Sequence, residues 1–400
     1  MAGFTDSEGN FIITTRNTLN SINFGFIFRI RLHIDDKATL DFIQKTLGVG
    51  RVYEENDECI FVVYKFEDII SVIIPIFTYA NLITTKSMDF LDFKAAALIK
   101  QANPVLTEEL KNEILSLKNQ MNTKRSFVPF DPKDPYKLQP GYTLPAINIY
   151  WLIGFIEGDG SFFVNFNAPI FSLGQKYVNM HVLKSIDLFV SRLPNNYNKT
   201  IDSPNPKAVF SYNARTGVIV VTWGRIDALY DYILPILQEH IDVFSSRKKI
   251  DFILWAGVVC LQKTGLINTS EGKALMIKII SNFNQRRYSN NESASPVTPV
   301  TQVEIAKVLA LPPVFDLDSG KSHADLANAY SWNIKKFNKL NASLLSINIY
   351  SPEDSLLHTF PNATEAIKNL DISKTSFYRY LNTGRIYKNK YKIVSVLRDL

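Results

Sequence analysis

The sequence predicts an α+β protein: two copies of one domain with antiparallel sheets, related by a pseudo-twofold, then a small helix-turn-helix module. Three observations predict it. A nine-residue motif opens the chain as "MAGFTDSEG" and returns as "LIGFIEGDG", Leu152–Gly160, which places Asp159 at an offset of 151 from Glu8. Two later echoes keep the same order at an offset of 162, "KSMDFLDF" with "KKIDFILW" and "MNTKR" with "FNQRR". Between the echoes, Ile22–His33 alternates apolar and polar residues with the period of a strand. Ordered self-similarity of this kind marks a duplicated domain.

Composition sets the outer bounds. Four hundred residues, 46% of them hydrophobic, suffice for two or three cores. A net charge of +6 leans toward an acidic polymer such as nucleic acid. Cys59 and Cys260 each sit in an apolar run, so buried thiols are expected rather than a disulfide or a metal site. The N-terminus reads as neither a signal peptide nor a transit segment. The longest apolar run, Ile69–Thr85, is broken by Pro75 and Asn81, which makes it a core helix with its neighbours and not a membrane span. Phe, Ile, Asn, Lys and Tyr are abundant, and their AT-rich codons hint at an organellar gene.

Each repeat reads as helix, strands, helix, strands, helices. The first motif is a helix whose glycine, Gly9 (Gly160 in the second copy), is expected to be a left-handed C-cap. In the strand that follows, Phe24, Phe26, Phe28, Ile30 and Leu32 share one face, while Asn23, Gly25, Arg29, Arg31 and His33 share the other. That makes a sheet with one dry face and one polar, basic face; an ordinary solvated face would look the same in one strand alone. "DDKATLDFIQKTLGVG" is an amphipathic helix with Asp35 or Asp36 at its N-cap and Gly48 at its end. The first domain occupies 1–125. The join, 126–149, carries five prolines within Phe127–Pro145 and reads as a semi-rigid surface linker. The second domain, 150–287, absorbs eleven extra residues in a long loop around "NNYNKTIDSPNPKA" and carries a hairpin, Ala208–Thr222, with Arg215 at its turn. A second linker is expected over 288–345. In 346–400 a leading hairpin precedes two short helices, the first capped by Asn362 with Glu365 and the second by Ser373 and ending at Gly384. Seven Lys or Arg and no acid fall between Lys374 and Arg398, which fits a basic DNA-contacting module or, more blandly, a structural helical pair.

The motif itself has a physical reading. On a helix Gly3 and Ser7 share a face, as do Gly154 and Gly158, and small residues four apart let two backbones approach closely. If the two helices pack across a pseudo-twofold, Glu8 and Asp159 come together at their C-terminal ends. Two carboxylates there repel each other and the helix dipole unless one is protonated or a hard cation such as Mg²⁺ binds between them.

These segments resemble the LAGLIDADG motif of homing endonucleases in the single-chain form that carries two motifs, over roughly residues 1–290. The tail resembles the nuclease-associated modular domains that follow some of them. The resemblance implies that Glu8 and Asp159 are metal-binding catalytic acids, with the carbonyls of Ser7 and Gly158 as further ligands. Asp6 and Glu157 read as structural. Lys86 and Lys248 match the family's basic residue beside the scissile phosphates. Gln175 and His33 are candidates for orienting water, although their alignment needs a one-residue gap. Arg16, Asn23, Arg29, Arg31, Asn165, Asn167, Lys176 and Arg215 are candidates for contacting base edges, and Lys374, Arg379, Arg385, Lys388 and Lys390 for DNA contacts by the tail.

The implied activity is Mg²⁺-dependent hydrolysis of both strands of a double-stranded DNA target by a monomeric, mitochondrial, intron-encoded enzyme. The alternative is an RNA-binding maturase that assists splicing of its host group I intron, with or without cleavage. One departure stands out: the chain begins already inside the first motif, so its first helix is expected to lack an entry turn.

Overall fold

Period-two patterning resolves, in each repeat, into a four-stranded antiparallel sheet. The computed structural model describes residues 1–18, 21–194, 206–283, 299–343 and 345–397, in two compact units, Met1–His323 and Ala324–Leu400. The first lobe of the larger unit runs α1 (Ala2–Glu8), β1 (Gly9–Thr18), β2 (Ser21–His33), α2 (Lys37–Leu47), β3 (Arg51–Glu55), β4 (Glu58–Val63), α3 (Phe66–Asp68), α4 (Ile74–Tyr79), α5 (Lys86–Ala102) and α6 (Glu108–Lys118). The second runs α7 (Ile149–Asp159), β5 (Gly160–Asn165), β6 (Ala168–Lys176), α8 (Met180–Ser191), β7 (Val209–Asn213), β8 (Val218–Trp223), α9 (Ile226–Ala228), α10 (Leu234–Glu239), α11 (Lys248–Lys263) and α12 (Ser270–Ile280). Strand orders are β1-β2-β4-β3 and β5-β6-β8-β7, the same topology twice.

The alternation of β2 sets the layers. Phe24, Phe26, Phe28 and Ile30 are buried against the helices with Phe11, Phe77, Phe90 and Phe93, while Asn23 and Arg31 are exposed on the opposite face. The apolar run after β4 is helical and buries Ile69, Ile73, Ile74 and Phe77. Among the described residues no helix is long and apolar enough to cross a membrane. Cys59 is a buried free thiol, as expected, whereas Cys260 is a half-buried one.

α1 and α7 cross at their glycines. A Cβ on Gly3 would lie 1.9 Å from the Trp151 carbonyl oxygen, and one on Gly154 would lie 2.9 Å from the Phe4 nitrogen. These neighbours are backbone and cannot yield by changing rotamer. Gly3→Ala should therefore destabilise the chain by about 3 kcal/mol or more, read as a lower urea midpoint at unchanged slope. Wild-type stability would refute the close packing.

The terminal glycines of the motifs differ from expectation. Gly9 and Gly160 are extended, at φ −76°, and not left-handed. Each helix runs straight into its first strand. What requires glycine is space: a Cβ would lie 2.8 Å from the Thr5 carbonyl oxygen at Gly9 and 2.6 Å from that of Ile156 at Gly160. Gly48, by contrast, ends α2 in the left-handed region as expected. Asp36 is the N-cap residue of α2, yet its side chain makes no capping bond; it reaches into the other lobe instead.

The proline-rich join is docked on the second lobe. Tyr136 packs edge-on to Phe210 and donates to its carbonyl at 3.0 Å, and Phe130 lies against Tyr177 and Tyr212. The stretch 288–345, expected as a linker, contains two helices. α13 (Gln302–Leu309) starts with a full Thr301–Glu304 capping box and sends Ile305 into the second lobe's core, and Phe315 covers Gly265. α14 (His323–Ser343) fills the end of the stretch. The long loop at 195–205 and the echo after Phe283 lie outside the described residues.

The smaller unit contains β9 (Leu345–Tyr350), β10 (Leu356–Phe360), α15 (Ala363–Asn369), α16 (Lys374–Tyr380) and β11 (Lys392–Leu397), with sheet order β10-β9-β11. Asn362 and Ser373 cap the two helices through their side chains. The second helix stops at Tyr380, four residues before Gly384, because the chain turns back to add β11 beside β9 and bury Ile393 with Phe377.

Candidate active site

Glu8 and Asp159 are the last residues of α1 and α7, so the packing of those helices decides where the acids sit. A Cβ on Gly158 would come within 2.2 Å of the Ser7 hydroxyl oxygen and 2.9 Å of Glu8 Oε1. Glycine there lets the Glu8 carboxylate lie against the opposite helix end. Burial pushes the Glu8 carboxyl up, with Lys86 and Lys248 pulling it back. At Asp159, burial first and the Glu8 charge second push the carboxyl up to about 7, against Lys86, Lys248 and a hydrogen bond from Gln175. Two half-buried acids that both hold their protons more tightly than usual make a site in need of positive charge.

The two lysines supply some of it. Each is the first residue of its helix, Lys86 on α5 and Lys248 on α11. Lys86 Nζ donates to the carbonyls of Ser7 at 2.6 Å and Thr5 at 3.2 Å, and burial lowers its pKa. Lys248 Nζ donates to the Gly160 carbonyl at 2.6 Å. The Ser7 carbonyl, expected as a metal ligand, thus already carries the ammonium of Lys86.

The earlier acids of the motifs hold these lysine segments. Asp6 is buried and accepts from the backbone of Ile83 and Thr84, the Thr84 hydroxyl and the Trp151 indole. Glu157 accepts from the backbone of Ser245 and Ser246, both at 2.6 Å. Each acid therefore ties down the two residues at the same distance before its lobe's lysine.

Gln175 and His33 part company. Gln175 Nε2 donates to Asp159 Oδ2 at 2.6 Å. Counting from the motif glycines, the ladder pairs Gly160 with Leu173 and Gly9 with Ile30, so the counterpart of Gln175 is Leu32. His33 lies one residue on, facing the polar side, where its Nδ1 accepts from the Asp35 backbone N–H. Residue-by-residue similarity across hairpins of unequal length misplaced it; the sheet register does not.

Five links escaped the sequence reading: Asn179 to Gln175 and to Thr85, Thr39 to Ser245, and Arg247 to Asp35 and Asp36. Only the shared place of Asp36 and Asn179, just before each middle helix, could have pointed to them. On the polar face Arg16, Asn23, Arg31, Asn165, Lys176 and Arg215 are exposed and Arg29 is half-buried. Arg16 sits directly across from Asn23, and Arg31 pairs with Glu55 and Glu58. Asn167 lies in the β5–β6 turn with φ +71°, so strand alternation does not set its facing. Lys374, Arg379, Arg385, Lys388 and Lys390 of the smaller unit are all exposed.

The donor set suits a small hard cation. It offers two carboxylates and backbone carbonyls, and among the described residues no group of three or more His, Cys, Asp or Glu is placed to hold a metal ion. Mg²⁺ characteristically takes one or two protein carboxylates and completes its shell with water and phosphate oxygens.

Comparison with known proteins agrees with this geometry. The LAGLIDADG endonuclease family matches residues 1–97. An uncharacterized mitochondrial protein, RF1 of Saccharomyces cerevisiae, is 27% identical over 417 residues, covering all of this chain and 81% of its own length. Probable intron-encoded endonuclease Cox1-I1b of Schizosaccharomyces pombe is 28% identical over 64% of the chain, and probable intron-encoded endonuclease 3 of Neurospora crassa 30% over 68%. The chain spans 62% and 51% of the lengths of those two relatives. Among solved structures, the LAGLIDADG homing endonuclease I-GzeII in complex with its DNA target superimposes with a TM-score of 0.60 at 26% identity, over 72% of this chain and 98% of that one. Residues 1–97 thus carry a LAGLIDADG endonuclease domain, and with the motif repeated in the second lobe and the two helices packed through their glycines, the larger unit has the two-lobed fold of the LAGLIDADG homing endonucleases.

Proposed function

We propose that the chain is a mitochondrial, site-specific DNA endonuclease that makes a staggered double-strand break and so promotes mobility of its intron. One observation carries the reading: Glu8 and Asp159, one from each repeat, converge half-buried at facing helix ends, with the Asp159 carboxyl pushed up to about 7 and a lysine beside each. A scaffold without chemistry would gain stability by losing that charge conflict. Relatives that bear endonuclease names and a DNA-bound structural neighbour support a duplex DNA partner.

In this reading the polar face of the two sheets lies along the DNA major groove, where Arg16, Asn23, Arg29, Arg31, Asn165, Lys176 and Arg215 contact base edges and phosphates. Glu8 and Asp159 would hold Mg²⁺, which when bound would supply activation of water and stabilisation of the leaving oxygen. Lys86 and Lys248 place fixed ammonium groups beside the phosphates. Gln175 fixes the orientation of the Asp159 carboxylate. The basic smaller unit adds phosphate contacts through Lys374, Arg379, Arg385, Lys388 and Lys390, with a steep salt dependence expected.

The test is cleavage of a plasmid carrying the intronless exon junction, with Mg²⁺, by the wild-type chain, Glu8→Gln and Asp159→Asn. Double-strand cutting that falls at least about a hundredfold in both variants is expected. No cutting by the wild-type chain, together with tight binding of the intron RNA, would replace the nuclease with an RNA-binding splicing factor.

A further inference from the structure

Thr85 and Arg247 hold the same place in the two lobes, immediately before the lysine, and the backbone N–H of each bonds to a side chain of the other lobe. Thr85 N donates to Asn179 Oδ1 at 2.9 Å, and Arg247 N donates to Asp36 Oδ1 at 2.9 Å. Asn179 and Asp36 are themselves counterparts, the N-cap residues of α8 and α2, and neither side chain caps its own helix. Each leaves its helix uncapped and holds the opposite lysine segment instead.

In one direction the connection goes further. Asn179 Nδ2 donates to Gln175 Oε1 at 2.7 Å, and Gln175 Nε2 donates to Asp159 Oδ2 at 2.6 Å. The sense of this relay is fixed by the Thr85 N–H, which can only donate. It turns the Asn179 oxygen toward Thr85, the amide nitrogen toward Gln175, and the Gln175 nitrogen toward the acid. The other lobe cannot build the same relay. Leu32 stands where Gln175 would be, and the Asp36 carboxylate, which has no proton donor to offer, is taken up by the Arg247 guanidinium.

We infer that Asn179 is a positioning residue that joins the Lys86 segment of one lobe to Asp159 of the other, and that this link, built once, makes the two half-sites cut their strands at unequal rates. The inference rests on the nuclease reading and adds to it a built-in asymmetry. Asn179 is buried and touches neither DNA nor metal in this account; it acts through Gln175 and through the backbone that carries Lys86.

Asn179→Asp separates its two contacts. It keeps an acceptor for Thr85 but cannot donate to Gln175, and the new carboxylate would draw the Gln175 amide away from Asp159. With each strand end-labelled and turnover limited to one, one nick should slow about tenfold relative to the other, with DNA affinity unchanged. In a Gln175→Leu background, Asn179→Asp should add less than about twofold, since the relay is already cut. Equal slowing of both nicks or full additivity with Gln175→Leu would each overturn the inference. A wild-type chain that cuts neither strand would refute the nuclease reading itself, and the inference with it.

Discussion

Asp159→Asn should raise the melting temperature of the metal-free chain at pH 8 while abolishing DNA cleavage. The sign follows from proton binding. Asp159 moves from an ordinary value of 3.8 to about 7 in the folded chain, because of burial and then Glu8. Between those values the folded state holds a proton that the unfolded state has released, so stability falls as pH rises through the window. Above pH 7 the whole penalty is present. Asparagine keeps the shape and can still accept from Gln175, so it removes the penalty without opening a cavity. The gain should be on the order of 2 kcal/mol at pH 8. It should vanish near pH 4, where the wild-type carboxyl is already protonated. Divalent metal should close the gap from the other side, raising the melting temperature of the wild-type chain far more than that of the variant. A variant less stable than wild type at pH 8, or a difference that ignores pH, would mean that the acids do not share a charge conflict. Stability given up at the reacting groups is common where a binding partner supplies the missing charge.

How much of this was legible in the sequence depended on which physical rule set each feature. The sheet facing of β2 followed from side-chain alternation, which allows only two answers, and burial of Phe24, Phe26, Phe28 and Ile30 chose between them. The paired acids were legible because helix spacing puts Gly3 with Ser7 and Gly154 with Gly158, and close approach then brings the helix ends together. The role of Gly9 and Gly160 was not, because glycine answers two needs that sequence does not separate: a left-handed backbone and an absent Cβ. Here only the second applies.

His33 failed for a related reason. The β1–β2 hairpin, Gly9–His33, is longer than the β5–β6 hairpin, Gly160–Lys176, so local similarity slides by one residue, and in a strand one residue is the other face. The sequence offers Asp35 or Asp36 as a helix cap, the usual use of aspartate at that position, and Asp36 takes the place without making the capping bond. A better partner from 211 residues away, the Arg247 N–H, takes its oxygen, and no local rule could supply it. The stretch 288–345 read as linker because its polar start dominated the composition, although Thr301 and Glu304 spell a capping box just ahead of the buried Ile305.

Lys86→Met gives the second large effect, and it separates two roles that the geometry combines. Lys86 is a half-buried ammonium whose desolvation lowers its pKa, with Asp159, Asp6 and Glu8 opposing that shift. If its contribution is positive charge at the reacting phosphate, methionine should slow cutting about a hundredfold. The same change removes a cation that competes with the metal for the carboxylates, so Mn²⁺ should bind the DNA-free chain about threefold more tightly, measured by calorimetry. Cutting and metal affinity would then move in opposite directions. If instead Lys86 serves chiefly to hold the Ser7 and Thr5 carbonyls through its bonds at 2.6 and 3.2 Å, its loss loosens the end of α1 beside Glu8. Metal binding and cutting would then weaken together. Opposite signs establish an electrostatic role for Lys86, and equal signs reduce it to a brace. Lys248 offers the internal comparison, since it donates to the Gly160 carbonyl, one residue beyond Asp159. Lys248→Met should therefore slow cutting while leaving the Lys86 bonds to the end of α1 in place.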